Sequence, residues 1–237
     1  MEQFDIQASH RRARVRYIIM CGGQYDKWDK PKHLTEINNE PLVARTIRLL
    51  KERGIENKDI AISSNNPVFQ QFGVTRVVHK NPYRLPNDGT HAKTPWLDAF
   101  YKTNEPVCYL FGDVVFSPRA IQTIVRTETD SIEFFASAKP LADIYPKHWA
   151  EPFAFKVADT ERFFKAIEQT KKLDEEGQFK RQPVSWELWQ VIKGTPLNVV
   201  DYTNYTVIND YTCDIDSPED IKLFEQILKH RSKSEFI

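Results

Sequence analysis

Cysteine is scarce in this chain, which has three in 237 residues, at Cys21, Cys108 and Cys213. The number is odd and the spacing is wide, so the sequence offers neither a disulfide framework nor a CxxC pair for zinc. Each cysteine lies in or at the end of an apolar run. This placement predicts buried free thiols in a reducing compartment.

An excess of charge of either sign is also missing, because 33 Lys and Arg residues balance 33 Asp and Glu residues. Nucleic-acid-binding domains are usually basic, so the composition argues against a general polyanion binder while leaving room for one phosphate site. No apolar run reaches 18 residues, and the polar, basic N-terminus has no apolar signal core. We therefore expect a cytoplasmic protein with no nucleic-acid or membrane partner.

Apolar strands alternate with helices over the first half of the chain, a pattern typical of a parallel sheet. The second half is richer in short strands. Strands are predicted at 15–20, 59–64, 74–80, 106–116, 131–137, 152–157, 197–200, 205–208 and 211–215. We expect an α/β fold with one Rossmann-like mixed sheet flanked by helices, in a domain over 15–237 that follows a basic arm at 1–14.

Helices are predicted at 42–54, 96–102, 119–125, 159–172, 184–194 and 219–228. Three of them follow a capping hydroxyl and a proline at the first helical position, in Thr94-Pro95, Ser117-Pro118 and Ser217-Pro218. Asp159 is expected to cap the helix after it. Asp220 lies three residues after Ser217 and is expected to form half of a capping box rather than to act in catalysis.

The first predicted strand runs into a loop with two glycines, Gly22 and Gly23, followed by Lys27, Lys30 and Lys32. Ligands of a parallel sheet bind outside the carboxyl ends of its strands, and glycine lets backbone N–H groups approach phosphate oxygens. The segment fits neither a P-loop, GxxxxGK[ST], nor a dinucleotide fingerprint, GxGxxG. The alternative is an ordinary turn with surface lysines.

With its flanks, this loop resembles the N-terminal signature of the sugar- and alcohol-phosphate nucleotidyltransferases, which share the α/β fold of the A-type glycosyltransferases. Cys21-Gly22-Gly23 fills the small-residue and glycine positions, Lys27 falls on the family's arginine, and Pro31-Lys32 matches its Pro-Lys. Tyr25 stands where the family has a third glycine. A lysine at position 27 also lacks the bidentate fork of arginine.

The resemblance implies a role for each matching residue. Lys32 would neutralise the α-phosphate, while the loop residues Cys21, Gly22, Gly23 and Lys27 would hold the rest of the triphosphate. Gly112-Asp113 matches the family's Gly-Asp, whose aspartate binds Mg²⁺, a cation that prefers hard oxygen ligands. "TCDIDSPED" is similar to the family's acidic ending, so Asp216, in preference to Asp214, would be the second metal ligand. An aspartate that only caps a turn is the alternative at Asp113.

The nucleobase and the acceptor are harder to place. By resemblance, Gly89 in "NDGT" would contact the base with Thr90 beside it, although an ordinary Asp-Gly turn explains the same residues. Lys180 and Arg181 are candidates for an acceptor phosphate. The favoured explanation of this region, which also contains Lys147, His148, Trp149 and Glu151, is that all its charged side chains are solvated and its tryptophans belong to the core.

These residues favour a Mg²⁺-dependent nucleotidyltransferase that joins a nucleoside monophosphate to a small phosphorylated acceptor and releases pyrophosphate. The short chain is similar to the cytidylyltransferases of small alcohol phosphates, which favours CTP and a role in polysaccharide biosynthesis. The rivals are an A-type glycosyltransferase, whose Asp-x-Asp usually lies in mid-chain, and a non-catalytic nucleotide-binding module. The sequence does not determine the oligomeric state, and a homodimer is retained as a hypothesis.

Overall fold

The computed structural model describes residues 14–22, 28, 30–79, 96–138 and 150–231, with 230 and 231 by backbone alone. The strands are β1 (Arg16–Met20), β2 (Glu36–Ile37), β3 (Glu40–Pro41), β4 (Ile60–Ser63), β5 (Thr75–Val77), β6 (Val107–Phe111), β7 (Val114–Val115), β8 (Ile132–Ser137), β9 (Pro152–Val157), β10 (Thr206–Ile208) and β11 (Cys213–Asp214). The α-helices are α1 (Leu42–Glu52), α2 (Pro118–Arg126), α3 (Thr160–Glu175), α4 (Ser185–Lys193) and α5 (Pro218–Arg231). Short 3-10 turns span Lys32–Leu34, Asn57–Asp59, Pro67–Phe72 and Leu97–Ala99.

Seven strands form one mixed sheet in the order β10-β8-β9-β6-β1-β4-β5. β1 pairs in parallel with β4 and β6, and β4 pairs in parallel with β5, as the alternating pattern predicts. β9 runs antiparallel between β6 and β8. The start of β9 therefore lies at the same sheet edge as the carboxyl ends of β1 and β6, so three chain segments converge there.

The centre of the sheet is apolar on both faces, because helices or long segments cover each side. All five residues of β6 are buried, as are four of the five in β1. A second, smaller group of buried residues, which we call the C-terminal cluster, consists of Trp28, Ile37, Leu42, Val115, Tyr211, Cys213, Ile215 and Phe224. This cluster supports the two-stranded ladder of β7 and β11 beside the main sheet.

The capping predictions at Ser117, Asp159 and Asp220 are confirmed, whereas at Ser217 the backbone carbonyl and not the hydroxyl accepts the hydrogen bond of Asp220 N in the described part of the chain. Ser117 Oγ accepts a hydrogen bond from Ala120 N at 2.8 Å, and Asp159 Oδ1 accepts one from Arg162 N at 2.9 Å. Asp220 Oδ2 accepts a hydrogen bond from Ser217 N at 2.9 Å, which is the expected half of a capping box. Asp220 is therefore explained by helix capping.

The helix predicted at 96–102 is wrong, since only the 3-10 turn Leu97–Ala99 forms there. Aromatic packing replaces the helix in this segment. The ring of Phe100 contacts those of Trp96 and Tyr109 edge to face, each at 5.0 Å between centroids. Tyr109 Oη also donates a 2.6 Å hydrogen bond to Tyr101 O. These contacts bind the chain into the sheet core before a second helical turn can form.

The strand predicted at 197–200 is also wrong. The carbonyl oxygens of Pro196 and Val199 accept hydrogen bonds from Gln190 Nε2, at 2.6 and 2.9 Å. A side chain of α4 thus binds carbonyls that a strand would pair with a neighbour, and Val199 remains 63% exposed. Within the described part of the chain, no helix has the length and apolarity needed to cross a bilayer.

Candidate active site

A cavity of about 340 Å³ opens at the carboxyl ends of β1 and β6. Its walls come from the ends of these two strands, the start of β9, the first turn of α4 and the segment after β11. This is the edge at which a parallel sheet presents its ligand site. Gly22, at the start of the glycine loop, lies at this edge and lines the cavity.

Gly112 lets β6 come against the end of β1. A Cβ atom at this position would stand 2.4 Å from Met20 O, 2.8 Å from Cys21 Sγ and 2.9 Å from His33 Cδ2. The backbone N–H of Gly112 donates to Met20 O at 3.0 Å. Only glycine fits this close approach, and it places Asp113 directly beside the end of β1.

Lys32 and Asp113 form an ion pair within the cavity, with 2.5 Å between Nζ and Oδ2. Lys32 belongs to a 3-10 turn and is only 6% exposed, so its charge needs a partner. Burial by itself would raise the pKa of Asp113, but the charge of Lys32 and the hydrogen bond from Lys32 bring that pKa below its usual value. Asp113 is therefore a carboxylate at neutral pH.

The backbone of Ile215 ties this pair to the C-terminal acidic segment. Ile215 N donates to Asp113 O at 2.9 Å, and Ile215 O accepts from Lys32 Nζ at 3.3 Å. Because β11 also pairs antiparallel with β7, opposite Val114 and Val115, the segments around 113 and 215 are joined along their length. Asp214 and Asp216, which flank Ile215, are thereby held at the cavity.

Three carboxylates meet beside this pair, with one oxygen each of Glu151, Asp214 and Asp216 lying within 4.8 Å of the others. Glu151 is buried, whereas Asp216 is exposed. The donor atoms are all hard carboxylate oxygens, the type that Mg²⁺ and similar divalent cations take. The group therefore fits such a cation.

Glu151 was not among the metal candidates of the sequence. Its position is fixed by β9: Ser137 N donates to Glu151 O, and Glu151 N donates to Ser137 Oγ, each at 2.8 Å. The available signal was the acidic residue directly before an antiparallel strand next to β6. That signal becomes readable only when the order of the strands is known.

Two buried histidines lie near the Lys32–Asp113 pair. Burial lowers the pKa of His33 to about 4, with further effects from Asp113 and Lys32, and burial also lowers the pKa of His79 to about 4. Within the described part of the chain, His33 Nδ1 and both ring nitrogens of His79 have no hydrogen-bond partner. Both rings are neutral at pH 7, so His33 adds bulk but no charge to the cavity lining.

Of the remaining predicted site residues, some lie at the cavity and others lie outside the described part of the chain. Cys21 is buried beneath Gly112, and burial, followed by the nearby Asp113 charge, raises the pKa of its thiol well above the usual value. Arg181 lines the cavity, whereas Lys180 is not among the described lining residues. The predicted site residues outside the described part of the chain are Gly23, Lys27, Gly89 and Thr90, and the same holds for Tyr25, Lys147, His148 and Trp149.

Another part of the cavity lining is aromatic and basic. Trp186 Nε1 donates to Ala150 O at 3.1 Å, and its ring lies 4.7 Å from that of Tyr202 in an edge-on contact. Arg181 Nε donates to Glu187 Oε1 at 2.6 Å. Sequence reasoning left the tryptophans of this region to the core. The structure shows that Trp186 both packs in the core and borders the cavity.

Comparison with known proteins places these features in context. A family model described as "MobA-like NTP transferase domain" matches residues 17–181, more than half of the chain. No curated protein matches. The family match includes β1, the glycine loop, Lys32 and Asp113, and it ends at Arg181.

Solved structures share the fold at low sequence identity. A protein named as a glucose-1-phosphate thymidylyltransferase from Bacillus anthracis is 15% identical, with a TM-score of 0.54 over 90% of this chain and 94% of that chain. A CMP:2-keto-3-deoxy-manno-octonic acid synthetase complexed with CTP is 14% identical, with a TM-score of 0.52 over 92% and 100%. The inositol-1-phosphate CTP transferase from T. maritima is 16% identical, with a TM-score of 0.51 over 92% and 97%.

Proposed function

The chain belongs to the family described as the MobA-like NTP transferase domain, and from that membership we propose a specific nucleotidyl transfer for it. A nucleoside monophosphate passes from a nucleoside triphosphate to a small sugar phosphate or alcohol phosphate, and pyrophosphate is released. CTP is the proposed donor and Mg²⁺ the proposed metal. Polysaccharide biosynthesis is the proposed use of the product.

One observation carries this proposal: the buried Lys32–Asp113 ion pair lies in the same cavity as the carboxylates of Glu151, Asp214 and Asp216. Phosphoryl and nucleotidyl transfers require little covalent work from the protein, and positioning with charge neutralisation does most of the catalysis. A fixed cation beside a cluster of hard oxygen donors supplies both functions. The same arrangement at the carboxyl edge of a parallel sheet fits a nucleotide site.

We propose that Asp113 and Asp216 are the metal ligands, with Asp214 and Glu151 beside them. A bound divalent cation would polarise the α-phosphate and neutralise its charge. The chain itself supplies the rigid frame, because Ile215 binds Asp113 and Lys32 through its backbone and separates the two C-terminal aspartates. The carboxylates are thus held in place before any substrate arrives.

In the proposed reaction, an oxygen of the acceptor phosphate forms a bond to the α-phosphorus. The bond from that phosphorus to the bridging oxygen of the β-phosphate breaks, and pyrophosphate leaves with the bond electrons. Lys32 neutralises the charge that grows on the α-phosphate oxygens. Asp113 keeps Lys32 ionised and oriented, since its carboxylate lies 2.5 Å from Nζ.

The glycine loop and the base contact complete the proposed donor site. Gly22, Gly23 and Lys27 would hold the β- and γ-phosphates, with Cys21 directly before them in the chain. Gly89 and Thr90 would face the nucleobase. CTP is supported by the similarity to small cytidylyltransferases, and two structures of similar fold carry CTP in their names.

The decisive experiment measures phosphate release in the presence of pyrophosphatase, with each of four nucleoside triphosphates, Mg²⁺ and a panel of phosphate esters. Release that depends on both the triphosphate and an ester supports the proposal, and CTP should be the best donor. Transfer of sugar from a nucleotide sugar would instead show a glycosyltransferase. Binding of triphosphate without turnover would show a non-catalytic module.

Two further properties belong to the same proposal. The cytoplasm is the proposed location, because Cys21, Cys108 and Cys213 are all buried free thiols. A homodimer is the proposed assembly, and light scattering on the purified protein tests it. A mass of one chain would reject the dimer without affecting the proposed reaction.

A further inference from the structure

We infer that Arg181 binds the phosphate of the acceptor substrate, and that Glu187 positions it for this task. The inference rests on the proposed nucleotidyl transfer, which requires an anionic acceptor. It adds the place where that anion binds and the residues that hold it. Three features support it: the donors of Arg181 that no described residue engages, the charges of the cavity and the frame made by the first turn of α4.

Arg181 is held at one end of its guanidinium and left open at the other. Its Nε donates to Glu187 Oε1 at 2.6 Å, while Glu187 Oε2 accepts from Val184 N at 3.0 Å. Glu187 is 3% exposed, so this carboxylate is a rigid anchor. Among the described residues, no hydrogen bond uses the terminal nitrogens Nη1 and Nη2 of Arg181. They form the edge of the guanidinium that matches two phosphate oxygens.

The charges of the cavity require a cation at this place. Its described lining includes the carboxylates of Asp113, Glu151, Asp214 and Asp216, which would repel a phosphate ester. The cationic side chains of that lining are Lys32 and Arg181. Lys32 is held by Asp113 and Ile215 O and is assigned to the α-phosphate of the donor, so Arg181 is the cation of the described lining that is left for the acceptor phosphate.

The first turn of α4 sets Arg181 relative to the carboxylate cluster. Trp186 donates through Nε1 to Ala150 O, the residue before Glu151, and the next residue, Glu187, holds Arg181. Tyr202 lies close enough to feel the charges of Arg181 and Glu187 and also that of Glu151. Burial raises the pKa of its phenol, the Arg181 charge opposes this, and Glu187 and Glu151 add to it. One rigid turn thus joins the guanidinium to the metal-type carboxylates.

The direction of the reaction also favours this wall. In an in-line displacement the attacking oxygen enters opposite the leaving pyrophosphate. The proposed pyrophosphate site is the glycine loop at Gly22, at the end of β1, so the acceptor phosphate needs a cationic residue from another part of the cavity lining. Arg181, from the segment before α4, is such a residue, and Lys180, the neighbouring candidate, is not among the described lining residues.

The test compares Arg181→Gln, Arg181→Lys and Glu187→Gln with the control Arg119→Gln, which removes an exposed arginine at the start of α2. Kinetics use the phosphate ester that gives the fastest pyrophosphate release. Arg181→Gln should raise the acceptor KM about 10- to 100-fold, the effect of losing charge-assisted hydrogen bonds, and should change the triphosphate KM less than about twofold. Arg181→Lys should recover part of the loss because it keeps the charge without the fork.

A double-mutant cycle separates positioning from a purely structural role. Glu187→Gln should raise the acceptor KM about five-fold, and adding it to Arg181→Gln should cause little further loss, because Glu187 acts through Arg181. Thermal melting of each variant verifies folding. Additive effects of the two changes, or equal effects on the acceptor and triphosphate KM, would overturn the inference.

A binding measurement judges the inference even if the proposed reaction fails. Phosphorus NMR titration follows glycerol 3-phosphate, and separately inorganic phosphate, with the wild type, Arg181→Gln and Arg119→Gln. Weaker binding in Arg181→Gln alone supports an anion site at Arg181. The same affinity in all three proteins refutes it. An absence of turnover with every triphosphate would refute the proposed function, and the NMR result would still decide the site.

Discussion

Gly112 offers the sharpest test of how the fold builds the site, through the substitution Gly112→Ala. The added Cβ would stand 2.4 Å from Met20 O, and this atom is backbone that accepts the hydrogen bond of Gly112 itself. Ordinary contacts of a Cβ exceed about 3.4 Å, so β1 and β6 must separate by roughly 1 Å. Such overpacking typically costs about 1–3 kcal/mol of unfolding free energy.

The same shift moves Asp113 away from Lys32, because Asp113 directly follows the displaced residue. A misplacement of about 1 Å in a catalytic arrangement can cost about 10²-fold in rate. We therefore expect Gly112→Ala to melt roughly 3–10 °C lower, the range for a chain of this size, and to lose about 10²-fold in kcat. Differential scanning fluorimetry and the pyrophosphate-release assay at 20 °C measure the two effects.

Gly177→Ala is the matched control. Gly177 ends α3 with φ +71, and a Cβ there meets nothing within 4 Å. The left-handed backbone alone costs about 1–2 kcal/mol, without any contact to the cavity. This variant should melt lower and keep its activity at 20 °C. If Gly112→Ala behaves like Gly177→Ala, or keeps the wild-type melting temperature, the close approach of β1 and β6 does not position the site.

Three further predictions follow from the site and its surroundings. Lys32→Ala should lower kcat about 10²–10³-fold with little change in fold by circular dichroism, while Lys30→Ala, an exposed control two residues away, should retain activity; a Lys32→Ala enzyme near the wild-type rate would remove Lys32 from the mechanism. Asp216→Asn should raise the Mg²⁺ concentration for half-maximal activity more than Asp214→Asn does, and the reverse order in magnesium titrations would exchange their roles. His79 has a folded pKa near 4 against about 6.5 unfolded, so the unfolded chain binds more protons and stability falls as pH drops from about 6.5 to 4, by up to about 3 kcal/mol. Urea unfolding across this range should show a smaller pH effect in His79→Gln, and identical profiles would contradict the burial argument.

Much of the fold could be predicted because local signals agree with the tertiary structure. The strand at β1 is a continuous apolar run that the sheet buries on both faces, and Ser117 and Asp159 make the hydrogen bonds that their positions predict. The failures lie where long-range contacts decide the local conformation. The ring of Phe100 packs against Tyr109 of β6, and the side chain of Gln190 donates a hydrogen bond to the carbonyl of Val199. The residues next to Phe100 and Gln190 in the sequence do not indicate which distant groups these side chains will contact.

In the candidate site, too, some residues could be predicted from local sequence and others depend on long-range contacts. Lys32 and Asp113 could be named from short motifs, because each motif carries its own chemistry at a strand end. Glu151 could not, since its neighbours Asp214 and Asp216 lie more than sixty residues away, and only the antiparallel insertion of β9 beside β6 brings them together. Arg181 could be named as a phosphate candidate, but only together with Lys180, because the buried Glu187 anchor in α4 that holds Arg181 is not visible in its polar sequence context.

The backbone of Ile215 explains why these separate segments act as one site. The described cavity lining holds one lysine, Lys32, close to the four carboxylates of Asp113, Glu151, Asp214 and Asp216. If these side chains moved freely, Lys32 could form an ion pair with any of the four. Here Ile215 N binds Asp113 O, and Ile215 O binds Lys32 Nζ, so the lysine is fixed by a carbonyl as well as by a carboxylate. Ile215 is fully buried in the C-terminal cluster beside Trp28, which lies in the chain between Gly22 and Lys32. The small apolar cluster therefore ties the chain just before Lys32 to the acidic strand, and the geometry of the candidate site depends on packing outside the main sheet.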